Sequence, residues 1–105
     1  MLTEKDYCDY ETRAELIRLG YPAYMYDNTE VDKILGAILL YEAQKWLRKE
    51  KQIEIVVHSF DYVGEPYFAD IHMYREVRCA CSFADSYEEA LSEGIKDAIK
   101  ILKEE

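Results

Sequence analysis

Ile53-Glu54-Ile55-Val56-Val57-His58-Ser59-Phe60-Asp61-Tyr62 and, after Gly64-Glu65-Pro66, Tyr67-Phe68-Ala69-Asp70-Ile71-His72-Met73-Tyr74 are the stretches whose reading decides the fold. Both are rich in β-branched and aromatic residues, and Gly64-Glu65-Pro66 is turn chemistry, so together they predict a β-hairpin. With a three-residue loop, positions pair when their numbers sum to about 130. Ile53, Ile55, Val57, Ala69, Ile71 and Met73 then share one face, and side chains alternate between faces along each strand. The other face carries Val56, His58, Phe60, Tyr62, Phe68, His72 and Tyr74, with His58 directly across from His72. A third strand is expected over residues 78–83, after a tight turn at Glu76-Val77. Its register is free by one residue, which leaves the face of Cys79, Cys81 and Phe83 open.

Outward from the hairpin, the flanking segments read as helices. Ser86-Tyr87-Glu88-Glu89 is a capping box. Tyr87, Ala90, Leu91, Gly94, Ile95, Ala98 and Leu102 follow at helical spacing, and Lys100 and Lys103 close the helix as its dipole favours. Upstream, Leu39, Ala43, Trp46 and Leu47 recur at helical spacing with Glu42, Lys45, Arg48 and Lys49 on the solvent side. Trp46 is expected in the core. Thr3 or Asp9 caps a first helix, whose stripe is Tyr10, Ala14 and Ile17 with Leu16 and Leu19 beside it. Gly20 and Pro22 stop it. Between residues 21 and 38 no period decides: Tyr24-Met25-Tyr26 reads as a short strand, Asp27-Asn28 as a turn, and the apolar run from Val31 as helix or strand.

The chain has 105 residues, enough for one domain with a modest core, so residues 1–105 are read as a single α+β domain. Its net charge of −9, from 22 acidic and 13 basic side chains, repels phosphate backbones and excludes nonspecific nucleic-acid binding. Cys8, Cys79 and Cys81 make an odd set. In a strand, Cys79 and Cys81 lie with Cα atoms about 6.5 Å apart, near the long end of the disulfide range, so reduced thiols are the simpler reading. Met1-Leu2-Thr3-Glu4-Lys5-Asp6-Tyr7 has neither the basic nor the apolar region of a signal peptide. The apolar run from Ile34 to Tyr41 is too short to span a bilayer. A cytoplasmic protein with no membrane contact is expected.

No GxSxG, P-loop, HExxH or dinucleotide fingerprint occurs, so no catalytic residue, metal or cofactor is assigned. His58 and His72, helped by Asp70 or Asp61, would suit a metal or acid/base site. Zinc, however, needs three or four ligands, and two histidines meeting on a half-exposed sheet is the blander account. Cys79 and Cys81 are read as inert thiols, since free cysteine behaves as a small hydrophobe. The stronger candidate is the face carrying Val56, His58, Phe60, Tyr62, Phe68, His72 and Tyr74, because large exposed apolar patches mark interfaces. Either a helix covers it or it binds a protein partner or a second copy. A homodimer through this face is expected.

Three segments, Asp6-Tyr7-Cys8-Asp9-Tyr10-Glu11-Thr12 running to Leu19-Gly20-Tyr21, Ala43-Gln44-Lys45-Trp46-Leu47-Arg48-Lys49, and Ser86-Tyr87-Glu88-Glu89-Ala90-Leu91 to Ile99, resemble a set of small uncharacterised proteins of Bacteroides-type bacteria, their phages and mobile elements. That resemblance implies a mobile-element setting and no activity. The last half, three strands followed by Asp85-Ser86-Tyr87-Glu88-Glu89-Ala90-Leu91, resembles HicB-type antitoxins, which bind and block a small toxic ribonuclease. This chain lacks the Pro- and Gly-containing stretch those proteins usually carry before the third strand. Preceded by the Trp46 helix, the order also resembles double-stranded-RNA-binding domains, whose function needs basic residues that a charge of −9 opposes. The expected architecture is thus a three-stranded antiparallel sheet flanked by helices, α-α-β-β-β-α, with a double-stranded-RNA-binding-domain-like core. The expected function is a non-enzymatic protein-interaction module of prophage or mobile-element origin. The alternatives are a HicB-like antitoxin with a small basic toxin as partner, and a metal-dependent or acid/base enzyme using His58 and His72.

Overall fold

In the computed structural model, which describes residues 4–22, 38–59, 67–73, 76–80 and 83–104, the two stretches pair as antiparallel strands β1 (Ile53–Ser59) and β2 (Tyr67–Met73). Their register differs from the expected one. Ile53 faces Met73 and Ser59 faces Tyr67, so paired numbers sum to 126. The shift of four is even, and an even shift leaves every side chain on its face while changing its partner. Ile53, Ile55, Ala69, Ile71 and Met73 are all buried, as the alternation predicts. His58, however, stands opposite Phe68, and His72 opposite Glu54. The expected His58–His72 pair is corrected.

Backbone hydrogen bonds establish the pleat independently. Tyr67 exchanges both of its bonds with Ala84, at 3.2 and 2.7 Å. Odd-numbered residues of β2 therefore turn their polar backbone groups away from β1. On the other side, Gln44 Nε2 donates to the Ile55 carbonyl at 2.8 Å. Ile55↔Ile71 and Val57↔Ala69 are thus pairs without mutual backbone bonds, the kind in which side chains approach most closely. Gln44 also occupies part of the outer edge of β1, where an unpaired strand would otherwise invite another chain.

The expectation of a three-stranded sheet with a double-stranded-RNA-binding-domain-like core is corrected. The continuous ladder is two-stranded, with seven pairs between β1 and β2. The segment that follows, β3 (Glu76–Ala80), lies beside β2 through only four pairs, with a register shift between Ile71 and His72. The shift leaves Arg78 unmatched, as in a bulge, where one extra residue interrupts the ladder. Glu76 and Val77, expected as the turn, are strand residues instead. The return from β2 leaves only residues 74 and 75 between the strands, so pairing starts earlier than the apolar run at 79–83 suggests.

Three helices accompany the sheet among the described residues: α1 (Tyr10–Arg18), α2 (Leu40–Lys51) and α3 (Tyr87–Glu104). The Ser86 cap forms, with the Glu89 N–H donating to Ser86 Oγ at 3.1 Å. The inner sheet face, Leu40, Ala43 and Leu47 of α2, and Leu91, Ile95, Ala98 and Ile99 of α3 make one core cluster. Gly94 sets the spacing. A Cβ there would lie 2.7 Å from Ile55 Cγ2 and 3.1 Å from Ala69 Cβ, so α3 rests on the sheet at a distance only glycine permits. Trp46 is half-buried at the edge of this core. The Tyr21 ring meets it edge-on at 5.3 Å, and Lys51 Nζ lies 5.5 Å from its centroid.

Asp9 is the cap of α1: its Oδ1 accepts the Thr12 N–H at 2.8 Å. The helix ends in a Schellman motif, with Gly20 N–H donating to the Ile17 carbonyl and Tyr21 N–H to the Leu16 carbonyl, both at 3.0 Å. Gly20 adopts φ +109°, which explains the stop signal there. The predicted stripe is corrected. Thr12 and Leu16 face the core, whereas Tyr10 is 76% and Ile17 40% exposed. The helix is only nine residues long, and its contacts with α3 turn the Thr12–Leu16 side inward.

The cap carries a pH prediction. The hydrogen bonds from Thr12, and secondarily Lys96, hold the Asp9 carboxyl below its ordinary value of 3.8. A carboxyl with a depressed folded-state value stabilises the fold above its unfolded value, and that stability is lost as pH falls through the folded one. Asp9→Ala is therefore expected to cost about 0.5–2 kcal/mol at neutral pH. The difference from wild type should shrink once pH drops below 3.8, as urea titrations at a series of pH values would show.

Candidate functional site

The outer face of the hairpin is built from the even-numbered residues that β1 and β2 turn away from α2 and α3. Its centre is Asp70. His58 reaches diagonally across the ladder, and its Nε2 lies 2.8 Å from Asp70 Oδ2, a hydrogen bond in which the imidazole N–H donates. His72, two residues along β2 and so on the same face, places its Nε2 3.9 Å from the same oxygen. That is too long for a hydrogen bond and contributes only as a charge pair when the ring is protonated. Asp70 is the most covered of the three, at 18% side-chain exposure against 40% for His58 and 32% for His72. One carboxylate thus sits between two imidazoles.

A row of rings adjoins it. The His58 ring stacks on Phe68, its cross-strand partner, with centroids 4.7 Å apart and planes 16° from parallel. Phe68 in turn meets Phe83 at 5.4 Å with the rings tilted by 56°. Phe83 is 48% exposed, so a large apolar ring of this row meets solvent. Aromatic pairs of this geometry add about 0.5–1.5 kcal/mol beyond the area they bury.

Of the seven site residues expected from sequence, four are described: Val56, His58, Phe68 and His72, all half-buried on the outer face. Phe60, Tyr62 and Tyr74 lie outside the described residues. The structure joins His58 to His72 through Asp70 instead of directly. Asp70 was legible as a neighbour; its position as the hub was not, because the hub follows from the register. Phe83 joins the face, a placement left open by the uncertain third strand.

Cys79 takes a place opposite Ile71 in β3, and Cys81 lies outside the described residues. Cys8 is a free thiol beside α1. Burial, with the Asp9 charge added, pushes it up to about 12, so it stays protonated and unreactive at neutral pH. Among the described residues, no three or more of His, Cys, Asp and Glu are placed to hold a metal ion. No helix among them is long and apolar enough to cross a membrane. No family model, curated protein or solved structure matches the chain.

Proposed function

We propose that the chain is a non-enzymatic protein-interaction module whose contact surface is the outer sheet face around Asp70. One observation carries the reading. The inner face is already closed by α2 and α3, yet the ring row on the outer face includes a Phe83 that is 48% exposed. Exposed aromatic rings beside paired charges are what interface anchors are made of. The acid/base alternative rests on the His58–Asp70 hydrogen bond. It needs a nucleophile or an oxyanion donor facing that pair. Among the described residues, the neighbours of that pair on this face are Val56, Phe68, Phe83 and His72, of which only His72 is polar, and its Nε2 is turned to the same Asp70 oxygen at 3.9 Å. The mobile-element setting belongs to the same proposal. In the antitoxin variant only the partner changes, to a small basic protein that the charge of −9 would attract.

The test compares capture by immobilised wild type, Phe83→Asp and Tyr41→Ser from an extract of the organism that carries the gene. Tyr41 is exposed on α2, away from the outer sheet face. A protein held by wild type and Tyr41→Ser but lost by Phe83→Asp, with circular dichroism unchanged, supports the reading. Equal retention by all three contradicts it. A small basic partner would select the antitoxin form.

A further inference from the structure

A second surface lies where α1 packs beside α3. Between α1 and α3 runs an open groove of about 680 Å³, whose apolar lining includes Tyr10, Ala14 and Ile99. Tyr10 and Ile17 are seven residues apart, two helical turns, and both are exposed, at 76% and 40%. An apolar stripe on α1 is therefore left facing outward, with Tyr10 at the groove and Ile17 outside it.

The walls of the groove are of opposite net charge: Asp9, Glu11 and Glu15 outnumber Arg18 on the α1 wall, and Lys96, Lys100 and Lys103 outnumber Glu104 on the α3 wall. Asp9 and Glu15 of α1 reach across to Lys96 and Lys103 of α3, at 3.1 and 3.4 Å. Both pairs rise together in number, so the two helices run parallel along the groove. Between these bridges stand Glu11 on the α1 wall and Lys100 on the α3 wall, about 3 Å and about 6 Å along from the Asp9–Lys96 bridge by helical rise. Both are exposed, and neither has an ion-pair partner among the described residues.

We propose that the α1–α3 groove is a self-association surface, and that its occupant is a second copy of this chain related by a two-fold axis lying along the groove. Rotation about that axis exchanges the two walls and preserves height. The acidic α1 wall of one copy meets the basic α3 wall of the other, and Glu11 faces the partner's Lys100 twice, once on each side of the axis. The exposed Tyr10–Ile17 stripe is covered in the same step. An axis across the groove would set acid against acid, so the charge pattern selects one of the two arrangements. A self-complementary patch needs no second surface to form a closed dimer. This moves the expected homodimer contact away from the sheet face, which stays available to a different protein.

Two charge reversals test it. Sedimentation equilibrium at high micromolar concentration should show wild-type dimers. Glu11→Lys and Lys100→Glu should each weaken dimerisation by about tenfold or more, because each sets like charges opposite one another twice. An equimolar mixture of the two variants should recover the dimer, since both facing pairs are then opposite in sign. Glu11→Lys is the sharper variant, because it brings the net charge of −9 closer to zero. General repulsion would make it associate more strongly, and the proposed contact makes it associate less. A monomeric wild type overturns the proposal, as does undiminished dimerisation of either variant or a mixture that stays monomeric. Both positions are exposed, and circular dichroism verifies that each variant is folded.

Discussion

Ile71→Ala is expected to lower the unfolding free energy by about 2–5 kcal/mol, while His72→Ala, one residue along the same strand, changes it by no more than about 1 kcal/mol. Ile71 is fully buried and lies opposite Ile55, in a pair whose side chains approach closely. Truncation removes its apolar contacts and leaves a cavity that α3, held at Gly94, cannot close over. His72 is 32% exposed and shares Asp70 with a better-placed His58, so its loss leaves the Asp70 hydrogen bond intact. Urea denaturation midpoints for the two variants, with unchanged slopes, measure the contrast. Similar losses from both would mean that the two faces of β2 are not divided into core and surface.

Gly94→Val should destabilise by about 3 kcal/mol, at the upper end of what overpacking costs. The first added carbon would already lie 2.7 Å from Ile55 Cγ2 and 3.1 Å from Ala69 Cβ. Neither neighbour yields easily, since Ile55 is β-branched with few rotamers and the Ala69 methyl moves only with the β2 backbone. Valine gains only about 0.4 kcal/mol over glycine in helix propensity, too little to offset the clash. Gly94→Ala is the milder case, because about 1 kcal/mol of propensity works against the same contact. Thermal unfolding of the pair should place valine well below alanine, and alanine no higher than wild type.

The elements that could be read from sequence are those whose signal is local. The Ser86 cap, the α3 stripe and the Gly20 stop each need only a few neighbouring residues, and each forms as its chemistry requires. The alternation of the hairpin is equally local, so Ile53, Ile55, Ala69, Ile71 and Met73 were identifiable as core without knowing who pairs with whom. Register is not local. Gly64-Glu65-Pro66 marks a turn but does not count the residues between the last paired positions, Ser59 and Tyr67. Hence both histidines were placed on the correct face and given the wrong partners, and Asp70 emerged as hub only with the coordinates. Tyr10 and Ile17 failed for a related reason. Over nine residues a helical stripe is a short sample, and the choice between Thr12–Leu16 and Tyr10–Ile17 is made by the contacts of α1 with α3.

That register decides whether His58 and His72 converge on Asp70. Backbone proton NOEs in a labelled sample measure it directly. In pairs without mutual hydrogen bonds the facing Hα atoms lie close enough for strong cross-peaks. The register with sum 126 predicts Hα–Hα cross-peaks between Ile55 and Ile71 and between Val57 and Ala69. Cross-peaks from Val57 to Met73 and from Ser59 to Ile71 in their place would contradict it, returning His58 to His72 and removing Asp70 from the centre of the face.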